Sequence, residues 1–123
     1  MQKSFVKEFK LYCKKKNLDV NSHQIKPIKT LEEYYKLNYK SFISKILSKK
    51  NYKKGFYLYG DVGVGKTMIL DFFFNLVEGK KLKLHFNEFM LSFHDFVHQS
   101  KDKNDENKLS KFVKKLKSKA KLI

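Results

Sequence analysis

A glycine-rich segment between a short apolar run and a helical pattern constrains this chain more than any other feature. The segment Gly60-Asp61-Val62-Gly63-Val64-Gly65-Lys66-Thr67 matches the pattern G-x-x-x-x-G-K-[ST] at every fixed position. The apolar run Phe56–Tyr59 precedes it, and apolar residues at helical spacing follow it from about Lys66 to Val77. This order of strand, loop and helix is typical of a loop that cradles the phosphates of a nucleotide.

The chemistry of such a loop assigns a role to each of its parts. Glycines permit backbone conformations that turn amide N–H groups onto phosphate oxygens, and the following helix directs its positive end at the same anion. We predict that Lys66 is the catalytic lysine at the β- and γ-phosphates and that Thr67 is the metal ligand. The predicted cofactors are ATP and Mg²⁺. The predicted nucleotide-binding residues are Gly60, Asp61, Val62, Gly63, Val64, Gly65, Lys66 and Thr67. The alternative is a glycine-rich turn that binds no ligand.

The remaining periodicities predict an α/β fold. One amphipathic helix is predicted over residues 2–16, and another from a capping box at Thr30 and Glu33 to about Lys49. Alternating apolar residues predict a second strand in KLKLHF, residues 81–86. We therefore predict a P-loop NTPase of the AAA-like kind, with a parallel sheet and flanking helices. The sheet is expected to be incomplete, and a helical N-terminal segment to precede it.

The other segments complete the predicted organisation. Residues 17–30 contain the only proline and are predicted to form a connector, and helices are predicted from Glu88 onward and over residues 108–121. The predicted domains are a helical segment over residues 1–50 and the first part of a P-loop ATPase domain over residues 51–123. Two parallel strands leave both edges of a sheet open, so the chain is expected to be the front part of a larger domain.

The acid that would complete a hydrolytic site is not visible in the sequence. A P-loop ATPase uses a second acid, usually at the end of an apolar strand, to hold Mg²⁺. Asp61 lies inside the loop, Asp71 lies on the predicted helix, and no apolar run ends in an acid. Arginine is absent, so an arginine finger is absent too. The sequence thus predicts nucleotide binding and leaves hydrolysis open.

The net charge of +16 is concentrated outside the loop. Residues 1–54 carry +11 and residues 80–123 carry +7, whereas residues 55–79 carry −2. Such flanks attract nucleic acid or an anionic membrane surface without specificity. A solvated lysine-rich surface is the simpler interpretation. The single cysteine, Cys13, excludes an internal disulfide and fits a reducing compartment, and no apolar run approaches a membrane span. These features favour a cytoplasmic location.

Three of the four histidines lie in the segment LHFNEFMLSFHDFVH. His94 and His98 are four residues apart on one predicted helical face, and His85 lies on the preceding predicted strand. The segment lacks the glutamate of H-E-x-x-H, and no cysteine lies nearby, so a zinc site is disfavoured. A packing role is preferred, and a role that faces a partner or a nucleotide stays open.

Two segments together resemble the ZapE-type ATPases, an AAA-related family of bacterial cell division with mitochondrial relatives in inner-membrane protein quality control. KGFYLYGDVGVGKTMILDFFF is similar to the family's strand, Walker A loop and helix, including Lys66-Thr67-Met68 and Asp71-Phe72. LHFNEFMLSFHDFVH is similar to the family's signature H-F-H-x-F-M-x-x-V-H-x-x-L-H. The matching positions of that signature are His85, Phe86, Phe89, Met90, His94 and His98.

The resemblance implies an ATPase on the cytoplasmic side of the inner membrane, near the division ring. The implied partners are ATP and cell-division proteins, with peripheral contact to the inner membrane and self-association; nucleic acid is less favoured. Asn87 and Asp61 depart from the family pattern, and the family's Walker B acids, sensors and arginine finger are expected beyond residue 123. Two alternatives stay open: a non-catalytic basic remnant that contacts membrane or nucleic acid, and an AAA-type helicase loader.

Overall fold

Five helices account for the regular structure of the part of the chain that the computed structural model describes, residues 4–39, 55–101, 106–120 and 122–123. The chain divides into two compact units, residues 1–73 and 74–123, and each is described by itself. The helices are α1 (Phe5–Lys15), α2 (Ser22–Tyr39), α3 (Lys66–Leu76), α4 (Phe86–Gln99) and α5 (Lys108–Lys119).

Helix α1 confirms the helix predicted over residues 2–16, and its inner face anchors the first unit. Phe5, Phe9 and Cys13 recur every four residues and are all buried. The Phe9 ring lies 5.2 Å from the ring of Phe72 in an edge-on arrangement. At the start of the helix, the Phe5 backbone N–H donates to the Glu32 carboxylate at 3.2 Å, which ties α1 to α2.

Helix α2 begins at Ser22, so the predicted connector over residues 17–30 and the capping box at Thr30 are wrong. Asn21 lies just before the helix, and its side-chain oxygen accepts a hydrogen bond from the His23 N–H at 3.0 Å. Pro27 lies inside the helix and removes one backbone donor. Burial of Ile28 and Leu31 on the inner face offsets that loss. The predicted extension from residue 40 to Lys49 lies outside the described residues.

The predicted parallel sheet is wrong: the described residues contain no strand, and their regular structure is helical. Phe56–Tyr59 has neither helical nor strand structure. Tyr57 and Tyr59 are 85% and 79% exposed, and their rings stack at 5.9 Å. An isolated apolar run lacks the ladder hydrogen bonds and covered faces that stabilise a parallel strand. The apolar pattern alone therefore did not predict the structure of this segment, because a strand needs a pairing strand and none is present among the described residues.

The second predicted strand, residues 81–86, is reduced to one isolated bridge. Lys81 pairs with Leu122 in parallel orientation, and the Leu82 N–H donates to the Leu122 carbonyl at 2.8 Å. Alternating apolar residues favour a strand only where several consecutive backbone groups find partners. A single bridge does not satisfy that condition, so the segment remains irregular up to the start of α4.

Helices α4 and α5 form the core of the second unit around one ring. Helix α4 begins at Phe86, two residues before the predicted start at Glu88, because the Glu88 carboxylate accepts the His85 backbone N–H at 3.0 Å. The buried Phe112 of α5 lies 5.5 Å from each of three rings of α4, centroid to centroid. Those rings belong to Phe89, Phe93 and Phe96. Helix α5 confirms the basic amphipathic helix that was predicted to begin at residue 108.

Burial of Cys13 predicts a thiol that reacts slowly in the folded protein. The side chain is fully buried, and this desolvation raises the pKa of the Cys13 thiol above its ordinary value. At about pH 8 we expect iodoacetamide to alkylate the folded chain at least about tenfold more slowly than the urea-unfolded chain. Equal rates in the two states, followed by mass spectrometry, would contradict the buried position.

The same pKa difference has a definite sign for stability. A thiol whose pKa is higher in the folded state than in the unfolded state stabilises the fold fully at pH values below the unfolded pKa. This contribution declines as the pH rises through the unfolded pKa towards the folded one.

Among the described helices, none has both the length and the apolar content that a membrane span requires.

Candidate functional site

The glycine-rich loop, residues 60–67, lies at the N-terminal end of helix α3 and is largely exposed. Phe56–Tyr59 leads into it, and the helix begins at Lys66, as predicted. The helix ends at Leu76, one residue before the predicted end, and Gly79 follows in the left-handed region with φ +100°. All eight residues predicted to bind nucleotide are therefore contiguous at one helix terminus.

Two glycines of the loop have conformations that other residues rarely adopt. Gly63 has φ +84° and Gly65 has φ +83°, both in the left-handed region. A side chain is disfavoured there because its Cβ approaches the following carbonyl oxygen. Residues with left-handed and right-handed backbone in succession turn neighbouring N–H groups towards a common point, which is how backbone loops bind anions. The loop therefore has the glycines at the places where its shape requires them.

Helix α3 adds to this loop the amide donors of its first turn, which have no acceptor within the helix. The Ile69 N–H donates to the carbonyl of Gly65, the residue just before the helix, at 3.1 Å. The N–H groups of Lys66, Thr67 and Met68 precede it, and no carbonyl four residues back lies within the helix to accept them. Together with the helix dipole, these donors favour an anion at this end of the helix.

The Lys66 ammonium lies folded back over the loop. Its Nζ donates to the Gly60 carbonyl at 2.7 Å and to the Asp61 carbonyl at 2.6 Å. These bonds keep the positive charge beside the loop backbone rather than extended into solvent. Because both acceptors are neutral carbonyls, a phosphate oxygen is a stronger acceptor for the same ammonium. The Thr67 hydroxyl lies in the first turn of α3 and is exposed.

Gln24 is the residue of this site that the sequence did not reveal. It lies in the first turns of α2 and is only 5% exposed, although its side chain is polar. Its amide nitrogen donates to the Val64 carbonyl at 3.4 Å, across forty residues of sequence. A signal was present in the spacing of Gln24, Ile28 and Leu31, which places them on one helical face. The interpretation of residues 17–30 as a connector hid that periodicity.

A cleft of about 560 Å³ runs beside the loop in the first unit. The loop contributes Gly63, Val64 and Gly65 to its wall, and Met68 of α3 continues that wall. The cleft is also lined by residues 18–21, between α1 and α2, and by Ser22 and Gln24 at the start of α2. The cleft therefore offers apolar and backbone groups directly next to the amide donors of the loop.

Two glycine substitutions test whether the Gln24 side chain packs against the loop. Gly65→Ala places a Cβ on the Gln24 side-chain amide, whereas a Cβ at Gly63 meets nothing within 4 Å. Both variants carry the same left-handed strain, about 1–2 kcal/mol. We expect Gly65→Ala to lower the free energy of unfolding in urea by about 1 kcal/mol more than Gly63→Ala does, because the overlap displaces the amide. Equal losses in the two variants would mean that Gln24 does not contact the loop in solution.

The histidine segment forms no metal site with the described residues. His94 and His98 are exposed on α4, and His85 precedes that helix. The His94 ring lies 6.2 Å from that of Phe93. Within the described ranges, no group of three or more histidine, cysteine, aspartate or glutamate side chains is arranged to hold a metal ion. The packing role predicted for these histidines as a set finds little support, because His85, His94 and His98 are all exposed.

Comparisons with known proteins link the loop to one family. A family model described as AFG1-like ATPase matches residues 10–123. The chain is 42% identical over 67 residues to lactation elevated protein 1 homolog B of Danio rerio, a match covering 54% of this chain and 13% of the relative. It is 44% identical over 43 residues to cell division protein ZapE of Escherichia coli, covering 34% of this chain and 12% of the relative. The chain thus matches a small part of each relative's length. No solved structure is significantly similar to it.

Proposed function

The chain belongs to the AFG1-like ATPase family, and on that premise we propose that its glycine-rich loop binds the phosphates of ATP with Mg²⁺. Membership of the family confirms the resemblance to the ZapE-type ATPases. One observation carries the proposal: the Lys66 ammonium and the N-terminal end of α3 lie at one exposed loop that contains two left-handed glycines. Family membership and this geometry both support a phosphate ligand.

The proposed roles follow from the donors that the loop offers. The backbone of residues 60–65 would surround the phosphate chain. Lys66 would donate to the β- and γ-phosphates in place of its two carbonyl acceptors, and the Thr67 hydroxyl would ligate the metal. Mg²⁺ held there would neutralise charge on the phosphate oxygens. The residues of this chain bind and orient the phosphates; hydrolysis additionally needs a second metal-holding acid and a group that orients water.

The cleft beside the loop is the proposed place of the nucleoside. It is continuous with the loop wall through Gly63 and Gly65, and its volume of about 560 Å³ falls within the range of small-molecule sites. Leu18, Val20 and Met68 give it the apolar surface that a purine base requires. A nucleotide whose phosphates lie on the loop therefore finds apolar surface for its base within the same unit.

A ligand series tests the proposal by thermal unfolding. We expect saturating ATP with Mg²⁺ to raise the melting temperature clearly, ATP with EDTA to raise it less, and adenosine to raise it little, because the phosphates provide most of the binding energy. In Thr67→Val, an isosteric change without the hydroxyl, the shift with Mg²⁺ should fall to the shift with EDTA. Equal shifts with adenosine and ATP would contradict phosphate binding by the loop.

The cellular role is proposed from the relatives and from charge. The relative named cell division protein ZapE supports a role in cell division, with cell-division proteins as partners. The single cysteine supports a reducing, cytoplasmic location. The lysines of α5, Lys108, Lys111, Lys114, Lys115, Lys117 and Lys119, favour peripheral contact with an anionic membrane. Co-sedimentation with anionic vesicles should fall steeply as salt rises; no binding at low salt would exclude that contact. Binding that ATP does not affect would favour the basic, non-catalytic alternative.

A further inference from the structure

We infer that Gln24 is a positioning residue that holds the phosphate loop in its binding shape from helix α2. The inference rests on the proposed function of the loop and names the residue outside the loop on which its shape depends. Gln24 lies forty residues before Val64 in sequence, yet its amide nitrogen donates to the Val64 carbonyl at 3.4 Å. No part of the glycine-rich pattern contains it.

The Gln24 side chain is itself held in one orientation. Its amide oxygen accepts the Asn21 backbone N–H at 3.0 Å, and the Gln24 backbone N–H donates to the Asn21 carbonyl at 3.0 Å. These reciprocal bonds fix the amide plane at the start of α2. A glutamine that is 5% exposed and bonded in this way has lost the rotamer freedom of a surface glutamine. Its remaining amide donors are thereby presented to the loop.

The hydrogen bond from Gln24 restrains the peptide unit between Val64 and Gly65, which belongs to the proposed anion-binding loop. Val64 lies between the two left-handed glycines, Gly63 and Gly65. The peptide bond is planar and trans, so the Val64 carbonyl and the Gly65 N–H point in opposite directions. When Gln24 holds the carbonyl on its own side, the Gly65 N–H is directed away from Gln24. Without that bond, the glycines on either side let the peptide unit rotate at little cost.

The close approach at Gly65 supports the same conclusion. The Gln24 amide nitrogen occupies the space that a Cβ at Gly65 would need. The absence of a side chain at Gly65 therefore serves both the backbone conformation and the approach of this amide. The Gln24 side chain is also buried without an unpartnered polar atom among the described residues. Its position is consequently built into the first unit rather than adopted by a mobile surface group.

Titration calorimetry with two ligands tests whether Gln24 acts through the loop. ATP and inorganic tripolyphosphate share the phosphates, but only ATP carries a base. In Gln24→Met, which keeps the length and removes the amide, we expect both ligands to bind about tenfold more weakly than to the parent chain. Gln99→Met makes the same chemical change on the exposed end of α4 and should bind both ligands as the parent does.

Each outcome decides the matter. A loss for ATP alone would overturn the inference, because Gln24 would then contact the base rather than the loop. Unchanged affinity for both ligands would also overturn it while leaving the proposed function intact. A parent chain that binds neither ligand would overturn the proposed function itself. Circular dichroism confirms that each variant is folded at the titration temperature. If Gln24→Met does not fold, Gln24→Asn, whose amide is one methylene too short to reach, replaces it with the same expectations.

Discussion

Lys66→Ala is expected to abolish the stabilisation of this protein by ATP. At a ligand concentration about 100 times the dissociation constant, binding stabilises the folded state by about 2.7 kcal/mol. For a domain of this size, that corresponds to a rise in melting temperature of roughly 10 °C. The ammonium is the only side-chain cation of the loop, so its removal leaves the phosphates with backbone donors alone. At the same ATP concentration we expect a rise of less than about 2 °C in the variant.

The unliganded variant should remain folded. Lys66 donates to two carbonyls of an exposed loop, and water replaces these partners in the variant, so the loss of the bonds costs little stability. Lys29→Ala, on an exposed position of α2, removes the same charge and should keep the full response to ATP. If Lys66→Ala and the parent show the same ATP-induced shift, the assignment of the phosphate site to this loop is wrong.

Phe9→Ala is expected to have the largest effect on stability. Phe9 is fully buried, and its ring meets Phe72 at 5.2 Å and Tyr12 at 6.4 Å. Truncation of a buried phenylalanine costs about 3–5 kcal/mol, from lost apolar burial and from the cavity that remains. Small domains have a total stability of about 5–15 kcal/mol, so this variant should lose a large share of its stability. Urea unfolding followed by circular dichroism measures the loss.

Leu11→Ala on the same helix provides the matched control. Leu11 is 53% exposed, and its truncation should cost less than about 1 kcal/mol. Both substitutions leave alanine, which has a high helix propensity, so the helix itself is not the cause of any difference. A similar loss in the two variants would mean that the inner face of α1 is not packed against the ring of Phe72.

The sequence predicted the elements whose causes are local. Helix α1 follows from apolar residues every four positions, and the start of α3 at Lys66 follows from the glycine loop before it. The terminating Gly79 also has the left-handed conformation that a helix end favours. In each case the determining contacts lie within a turn or two of the residue concerned. The candidate site was accessible to sequence analysis for the same reason, because its eight residues are consecutive.

The two largest errors concern segments whose structure depends on contacts distant in sequence. Pro27 was taken as a boundary, yet the burial of Ile28 and Leu31 keeps it inside α2. Phe56–Tyr59 has the composition of a buried strand, yet Tyr57 and Tyr59 are exposed. Residue composition shows that a segment favours a β-strand, but it does not show whether another strand is available to pair with it. The sheet was predicted from that ability alone.

By itself, the sequence determined the chemistry of the loop: two glycines where the backbone is left-handed, one lysine, one threonine, and a helix behind them. Only the tertiary structure decided which outside group holds that loop. The Gln24 amide reaches the Val64 carbonyl across forty residues, and the same amide occupies the space that a Cβ at Gly65 would need, whereas a Cβ at Gly63 would meet nothing within 4 Å. Backbone conformational preferences depend on residue type and act within a few residues, so they can be inferred from the sequence. A contact between distant segments depends on how the helices between them pack, and no single segment carries that information.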